Sequence, residues 1–225
     1  MISGLEVATT SDGESKPMDC PGKPCQLDEA EVARRREVCR SNAAVTMMTH
    51  GGRLVDLFDP DPKSIALDDI AWSLAHQNRF CGHVGVYTVA EHSIRAARLA
   101  LDRGADAFAV LMHDAHEAYL GDITRPVKQV IESAAPGLLK RIEIGLDRAI
   151  ATALGFDVDR LWHPAVKTFD ETMLAIEERD LRMPKAWRRD VPEWSWREDI
   201  GKGWLPPDAY EEFCYWFHRL KERTA

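Results

Sequence analysis

The feature that most constrains this chain is an apolar helical run that ends in two ionisable residues, His113 and Asp114. The stretch Ala105–Tyr119 has the length and the apolar spacing of a helix packed in a protein interior. An imidazole and a carboxylate buried there without partners would be strongly unfavourable. A divalent cation is the simplest partner for both groups. The run therefore predicts a helical core with a polar site inside it.

Two further residues extend this site. His92 lies upstream in Thr88-Val-Ala-Glu-His-Ser93, and Asp170 lies downstream in Lys167-Thr-Phe-Asp170. Two imidazoles and two carboxylates leave room for water, which is typical of a catalytic rather than a structural metal. We expect one divalent cation. Nitrogen and oxygen ligands without a thiolate favour manganese, cobalt, iron or zinc and disfavour magnesium.

Hydrophobic periodicity predicts helices throughout the chain and no strand. The predicted helices are Asp68–His76, Val86–Leu101, Ala105–Tyr119, Leu138–Leu154, Val166–Leu181 and Asp208–Glu222, with loops at Gly121–Pro126 and Pro184–Pro207. The fold class is therefore all-α, a single helical bundle over residues 44–225. Residues 1–43 are rich in small and polar residues at their start, and we expect an N-terminal extension that is disordered or partly helical.

Composition limits the partners. The formal net charge of −8 disfavours a surface that binds a nucleic-acid polymer, which would be basic. It leaves room for a small anionic substrate in a locally positive pocket. No apolar run is long enough to span a bilayer, and the polar N-terminus lacks the pattern of a secretory signal. The five cysteines are widely spaced and odd in number, which favours free thiols in the cytoplasm.

The ordered motifs resemble the HD-domain phosphohydrolase superfamily. The resemblance is to its small bacterial 5′-deoxynucleotidases and the related phage deoxynucleoside triphosphohydrolases. It covers roughly residues 50–183 and depends on five stretches, namely Asn78–Phe80, Thr88–Ser93, Met112–Glu117, Gly121–Lys128 and Lys167–Asp170. It implies a single HD-domain bundle, a nucleotide as the small-molecule substrate and assembly into a homo-oligomer.

The same resemblance implies residue roles. The metal ligands would be His92, His113, Asp114 and Asp170. Glu117 matches the acidic residue that orients or deprotonates the attacking water, and Asp122 matches the aspartate that faces the sugar and the scissile bond. Arg79 matches the arginine that contacts the substrate phosphate. His83 and Lys128 are further substrate-binding candidates, and Lys167 lies in a matching motif without an assigned role.

Several of these residues have alternative roles. Arg79 would pair with Asp68 or Asp69 in a purely structural role, and Glu117 would hydrogen-bond a ligand histidine. His83 either reaches the substrate or caps a helix. Trp72 and Phe80 either pack in the core or stack on a base.

Two positions depart from the family pattern. His116 stands where a small residue is common, and Arg125 stands where the deoxynucleotidases have an uncharged residue. Because His116 is about 100° around a helix from Glu117, we expect it at the surface.

The leading expectation for function is a 5′-nucleotidase that converts deoxyribonucleoside monophosphates to nucleoside and phosphate. One alternative is a triphosphohydrolase that releases triphosphate from a deoxynucleoside triphosphate, especially dATP. Another, of a different class, is a catalytically silent metal-binding module that acts as a sensor or partner.

Overall fold

The computed structural model describes residues 45–181, 184–195 and 199–223. These residues are mostly helical, which confirms the predicted all-α bundle. The extension predicted at residues 1–43, disordered or partly helical, lies outside the described residues. None of the described helices combines the length and the apolar character needed to cross a bilayer.

A short hairpin precedes the helices, which the sequence did not predict. Strand β1 (Thr46–Met48) pairs antiparallel with β2 (Leu54–Asp56), so that Met47 lies opposite Val55. Strands this short cannot show an alternating pattern in the sequence. The helices that follow are α1 (Leu67–His76), α2 (Val89–Asp102), α3 (Ala107–Met112), α4 (Glu117–Leu120), α5 (Arg125–Ala134), α6 (Leu138–Leu154), α7 (Pro164–Asp180) and α8 (Pro206–Glu222).

Helix α2 forms the centre of the bundle and packs against α1, α3, α7 and α8. Every residue from 89 to 100 except Arg98 is buried. A helix that is buried on nearly all sides must give partners to its ionisable residues. In α2 these residues are Glu91, His92 and Arg95.

Helix α2 begins at Val89 rather than at Val86 as predicted. Thr88 is its N-cap, and the side-chain oxygen accepts a hydrogen bond from the backbone N–H of Glu91 at 3.1 Å. This cap satisfies one of the free N–H groups of the first turn. It also places His92 at the start of the second turn, facing α7.

The predicted helix Ala105–Tyr119 is interrupted after Met112. Between α3 and α4 the backbone forms tighter bonds of the 3₁₀ type, such as Glu117 N–H to Asp114 O at 2.9 Å. In this geometry residues three apart lie above one another. Asp114 and Glu117 therefore share a face, whereas a continuous helix would have paired His113 with Glu117.

Two other differences concern packing. Helix α5 occupies a segment that begins in the predicted loop, because Pro126 lies in its first turn, where proline is well tolerated. It buries none of its residues, so it lies at the edge of the bundle. Ile142 and Leu174 belong to the apolar pattern from which α6 and α7 were predicted, but both are only half-buried.

Candidate metal centre

Four side chains from separate parts of the fold converge at one point. His92 comes from α2, His113 and Asp114 from the turn after α3, and Asp170 from α7. One potential ligand atom from each of the four lies within 4.8 Å of those of the other three. The Nε2 atom of His92 is 3.3 Å from Asp170 Oδ1, and that of His113 is 3.1 Å from Asp114 Oδ2. This cluster can hold a metal ion.

The orientation of the two imidazoles fits a cation. His92 donates from Nδ1 to Glu177 Oε1 at 2.5 Å, and His113 donates from Nδ1 to the carbonyl of Val110 at 2.7 Å. In the neutral ring with its proton on Nδ1, which is the form that binds a cation, the lone pair is at Nε2. Both Nε2 atoms are buried without a hydrogen-bond partner. Two buried acceptors that face two carboxylates have the donor set and the orientation that a divalent cation requires.

The carboxylates of the cluster are held in their ionised form. Burial alone would raise the pKa of Asp114, but the neighbouring His113 holds it well below its usual range. Burial acts on Asp170 in the same direction, and contacts with His113 and His92 overcome it, so its pKa is also lowered. Both side chains therefore carry charge at neutral pH and can act as anionic ligands.

Glu177 in α7 is a central residue that the sequence analysis missed. It is fully buried, and its two oxygens separately accept hydrogen bonds from His92 and from Arg79, the latter at 3.1 Å from Nη2. Glu177 follows Asp170 by seven residues, or about two helical turns, and therefore lies on the same face of α7. That spacing was the available signal.

Arg79 lies at the inner wall of the site, with its side chain about one-tenth exposed. Its Nη1 atom is 3.8 Å from Asp114 Oδ2. The structural alternative for Arg79, a pair with Asp68 or Asp69, is wrong. Asp69 is instead bound by Arg53 at 3.0 Å. The reason is that the hairpin, which the sequence did not predict, brings Arg53 to α1.

The backbone around Arg79 is strained. Phe80 and Cys81 have φ angles of 55° and 53°, in the left-handed region that side chains with a Cβ disfavour. Each such residue costs about 1–2 kcal/mol. The preceding residues are fixed by an isolated bridge between Asn78 and Thr88 and by a 2.8 Å bond from Arg79 N–H to the carbonyl of Tyr87. The turn thus aims the guanidinium inward beside the cap of α2.

Glu117 and Asp122 are positioned by Gln77, the residue directly after α1, which the sequence analysis also missed. The amide nitrogen of Gln77 donates to the carbonyl of Glu117 at 3.1 Å, and its oxygen accepts from the N–H of Asp122 at 3.1 Å. Burial, together with the charges of Asp114 and Asp122, raises the pKa of Glu117 well above its usual range. A carboxylate with a raised pKa is a stronger base than an exposed one.

A cavity of about 430 Å³ opens on the metal cluster. Arg79, Asp114, Glu117, Asp122, Lys128 and Asp170 all line it, so most of the predicted site residues reach one space. Arg125 and Arg189 are at its wall as well, the latter from the loop after α7. His83 is exposed and is not part of the lining. Lys167 is mostly exposed and pairs with Glu171.

The two aromatic candidates, Phe80 and Trp72, lie in different places. Phe80 lines the cavity, whereas Trp72 lies outside it, stacked on His50 at a ring-centroid distance of 3.9 Å and on His76 at 4.3 Å. Trp72 is also more than one-third exposed, so it is neither a core residue nor available to a ligand in this cavity.

His116 is not a surface residue, contrary to the expectation. It is 9% exposed, and its Nδ1 donates to Asp147 Oδ1 in α6 at 2.9 Å. The expectation assumed a continuous helix, and the tight turn after α3 instead directs this side chain between the turn and α6.

Comparisons with known proteins give relatives without a stated activity. No family model matches the chain. The chain is 38% identical over 118 residues to the uncharacterized protein YfdR of Escherichia coli strain K12, a match that covers 52% of this chain and 61% of that protein. It is 40% identical over 88 residues to an uncharacterized protein of Rhodobacter capsulatus, covering 36% of this chain and 45% of that protein. The chain thus spans less than two thirds of the length of either relative.

Proposed function

We propose that the chain is a metal-dependent phosphohydrolase of the HD superfamily that acts on nucleotides. The observation that carries this proposal is the pair of buried, unpartnered Nε2 atoms of His92 and His113, which face two carboxylates at the base of the cavity. Manganese, cobalt, iron and zinc suit these ligands better than magnesium. A bound cation would supply Lewis acidity at a phosphoryl oxygen and at water.

The other residues of the cavity supply the remaining parts of a hydrolysis. Glu117 is buried and next to Asp114, and its raised pKa suits a group that takes a proton from the attacking water. The guanidinium of Arg79 can hold two phosphate oxygens at once. Asp122 lies farther along the same wall and would accept hydrogen bonds from the sugar.

The leading activity is hydrolysis of deoxyribonucleoside monophosphates to nucleoside and phosphate. Arg79 is the single cation in direct contact with the metal cluster among the described residues, which fits one phosphate group. Phe80 and Leu174 provide apolar surface in the same cavity for the base or the sugar.

A specific observation supports the second activity, release of triphosphate from a deoxynucleoside triphosphate. Arg125, Lys128 and Arg189 line the same cavity as Arg79, so a longer phosphate chain would meet further cations. The third reading, a silent metal-binding module, gives no role to Glu117, which is buried beside the cluster.

One experiment separates these readings. The protein is stripped with a chelator, reloaded with Mn²⁺ or Co²⁺, and incubated with deoxyribonucleoside and ribonucleoside monophosphates and with triphosphates. We expect inorganic phosphate from the deoxyribonucleoside monophosphates. Triphosphate from dATP would favour the second activity. Metal-loaded protein that leaves every nucleotide intact would contradict the enzyme proposal and favour the silent module.

Glu117→Gln tests the proton acceptor. The variant should keep the metal of the four-residue cluster and should lower kcat by about 100-fold, because an amide cannot take the proton. Measured together, kcat and metal content decide the role. Glu171→Gln, at an exposed residue of α7, is the matched control and should retain the wild-type rate. If Glu117→Gln loses its metal and regains full rate when metal is restored, Glu117 only supports a ligand histidine.

A further inference from the structure

Three residues of α7 line the cavity in a row that leads away from the metal cluster. Asp170, Leu174 and Glu178 are spaced by four residues, and all three contribute to the cavity wall. Because a helix rises by about 1.5 Å per residue, Leu174 lies about 6 Å and Glu178 about 12 Å beyond Asp170 along the axis. A ligand whose reacting end is at Asp170 would therefore pass Leu174 and end near Glu178.

The chemistry of this row changes in the same order as that of a nucleotide. The metal cluster at Asp170 suits a phosphate, and Leu174 together with Phe80 supplies apolar surface for a sugar or for the face of a base. The wall becomes polar again at Glu178. The cavity volume of about 430 Å³ lies within the range of about 300–1000 Å³ that small-molecule sites have. Glu178 is therefore placed to meet the hydrogen-bonding edge of the base.

Arg189, from the loop between α7 and α8, joins Glu178 at this end of the cavity. The backbone N–H of Arg189 donates to Glu178 Oε2 at 2.8 Å, and its guanidinium contacts Glu178 Oε1. Arg189 also lines the cavity. The Glu178 side chain is only 12% exposed, and both of its oxygens have a donor, so its orientation is fixed. A carboxylate and a guanidinium thus lie next to each other where the base would end.

The loop that carries Arg189 is fastened to the bundle. The buried carboxylate of Glu91 in α2 accepts a hydrogen bond from the backbone N–H of Trp204 at 2.7 Å. The ring of Trp194, five residues after Arg189, packs edge-on against Phe169 of α7 at a centroid distance of 5.8 Å. A loop that is held in this way presents Arg189 at a defined place, as selective recognition requires.

A carboxylate beside a guanidinium matches guanine better than the other bases. A carboxylate has about four acceptor positions, of which Arg189 occupies two at Glu178, and a guanidinium has about five N–H donors. Guanine presents two adjacent donors, N1–H and the 2-amino group, next to the acceptor O6. Adenine and cytosine present one donor beside an acceptor. Guanine can therefore donate to both oxygens of Glu178 while its O6 accepts from Arg189.

We propose that Glu178 and Arg189 bind the base of the substrate and make the chain selective for guanine nucleotides. This inference rests on the proposed function in taking the metal cluster as the phosphate end of the cavity. It assigns Arg189 to the base of a monophosphate, whereas in a bound triphosphate the same guanidinium would meet phosphate oxygens. The two assignments predict different preferences among nucleotides.

The test measures binding, so that it does not depend on turnover. Full-length wild type loaded with Mn²⁺ is titrated by calorimetry with analogues of dGMP, dIMP and dAMP in which a methylene group replaces the ester oxygen and prevents hydrolysis. We expect the dGMP analogue to bind about 10-fold to 100-fold more tightly than the dAMP analogue, the usual scale for bidentate recognition of a base. The dIMP analogue, which lacks the 2-amino donor, should lie between them.

Two variants assign this preference to its residues. Glu178→Gln removes one of the two carboxylate acceptors and should lose most of the preference for guanine. Arg189→Met removes the donor to O6 and should weaken binding of the dGMP analogue more than that of the dAMP analogue. Glu171→Gln and Arg98→Met, at exposed residues of α7 and α2, are the matched controls and should keep the wild-type preference.

The wild type alone can overturn the inference, by binding the three analogues equally or by binding none of them. A folded Glu178→Gln that keeps the preference for guanine overturns it as well. If Arg189→Met weakens only analogues that carry a triphosphate chain, whatever their base, Arg189 binds phosphate and the inference is wrong. Guanine-selective binding without hydrolysis of any nucleotide would contradict the proposed activity alone, and hydrolysis without a base preference would contradict this inference alone.

Discussion

Asp114→Ala is expected to remove the metal and the activity together. Asp114 contacts both ligand histidines, with Oδ2 at 3.1 Å from His113 Nε2 and 3.7 Å from His92 Nε2. It is the carboxylate nearest to His113, whereas Asp170 is nearer to His92, at 3.3 Å from its Nε2. Without it a divalent cation keeps two neutral ligands and Asp170, which itself is about one-third exposed in its side chain. We expect the rate of the variant to fall to that of metal-free wild type.

The thermal stability of the protein reveals the same loss of metal binding without an assay of turnover. A ligand present at about 1000 times its Kd stabilises the native state by about 4 kcal/mol. For a domain of this size each kcal/mol shifts Tm by about 2–4 °C. Mn²⁺ should therefore raise the Tm of the wild type by about 10 °C and that of Asp114→Ala by less than about 2 °C.

Asp102→Asn, at an exposed residue of α2, is the control and should retain the full Mn²⁺-dependent shift. The measurement is thermal unfolding followed by circular dichroism, with and without the ion. A wild type whose Tm does not change with Mn²⁺, Co²⁺, Fe²⁺ or Zn²⁺, and which holds no metal after purification, would contradict the metal site itself.

The sequence predicted the parts of the molecule that depend on local pattern. Apolar periodicity gave α6 at Leu138–Leu154 with the bounds that the structure has, because Gly155 ends the helix in a left-handed conformation with φ of 68°. Spacing and residue type likewise identified His92, His113, Asp114 and Asp170 as candidate metal ligands. The structure places these four residues in one cluster.

What the sequence could not predict depends on contacts between distant segments. Glu177 receives its partners from residues 85 and 98 positions away, His92 and Arg79. The turn after α3 is too short to change the apolar period, so the burial of His116 could not be inferred. Its partner Asp147 lies on the polar side of the α6 pattern and resembles a solvated residue in the sequence.

Arg79→Met is expected to reduce both stability and activity, for two separable reasons. Arg79 is the main cationic partner of Glu177, which is fully buried. Removing one partner of a buried pair leaves the other charge uncompensated and costs about 3–5 kcal/mol. The double variant Arg79→Met with Glu177→Gln should recover most of that loss, because a neutral amide can still accept the hydrogen bond from His92.

The activity should not recover in the double variant. In the proposed reaction Arg79 holds the phosphate while its neighbour Asp114 binds the cation. The loss of Arg79 therefore removes about 2–4 kcal/mol of transition-state stabilisation. This corresponds to a fall in kcat/KM of about 30-fold to 1000-fold. Arg79→Lys should restore part of the rate, since a point charge cannot copy a bidentate grip.

Chemical denaturation measures the first effect, and kcat/KM for the best nucleotide measures the second. Arg98→Met is the matched control, because Arg98 is the exposed arginine on α2 and should change neither quantity. Arg79→Met could lose stability and yet stay within about twofold of the wild-type kcat/KM, a difference below about 0.5 kcal/mol. In that case Arg79 has only a structural role, as the charge partner of Glu177. The phosphate would then be bound by Lys128 and Arg125, the other cations of the cavity wall.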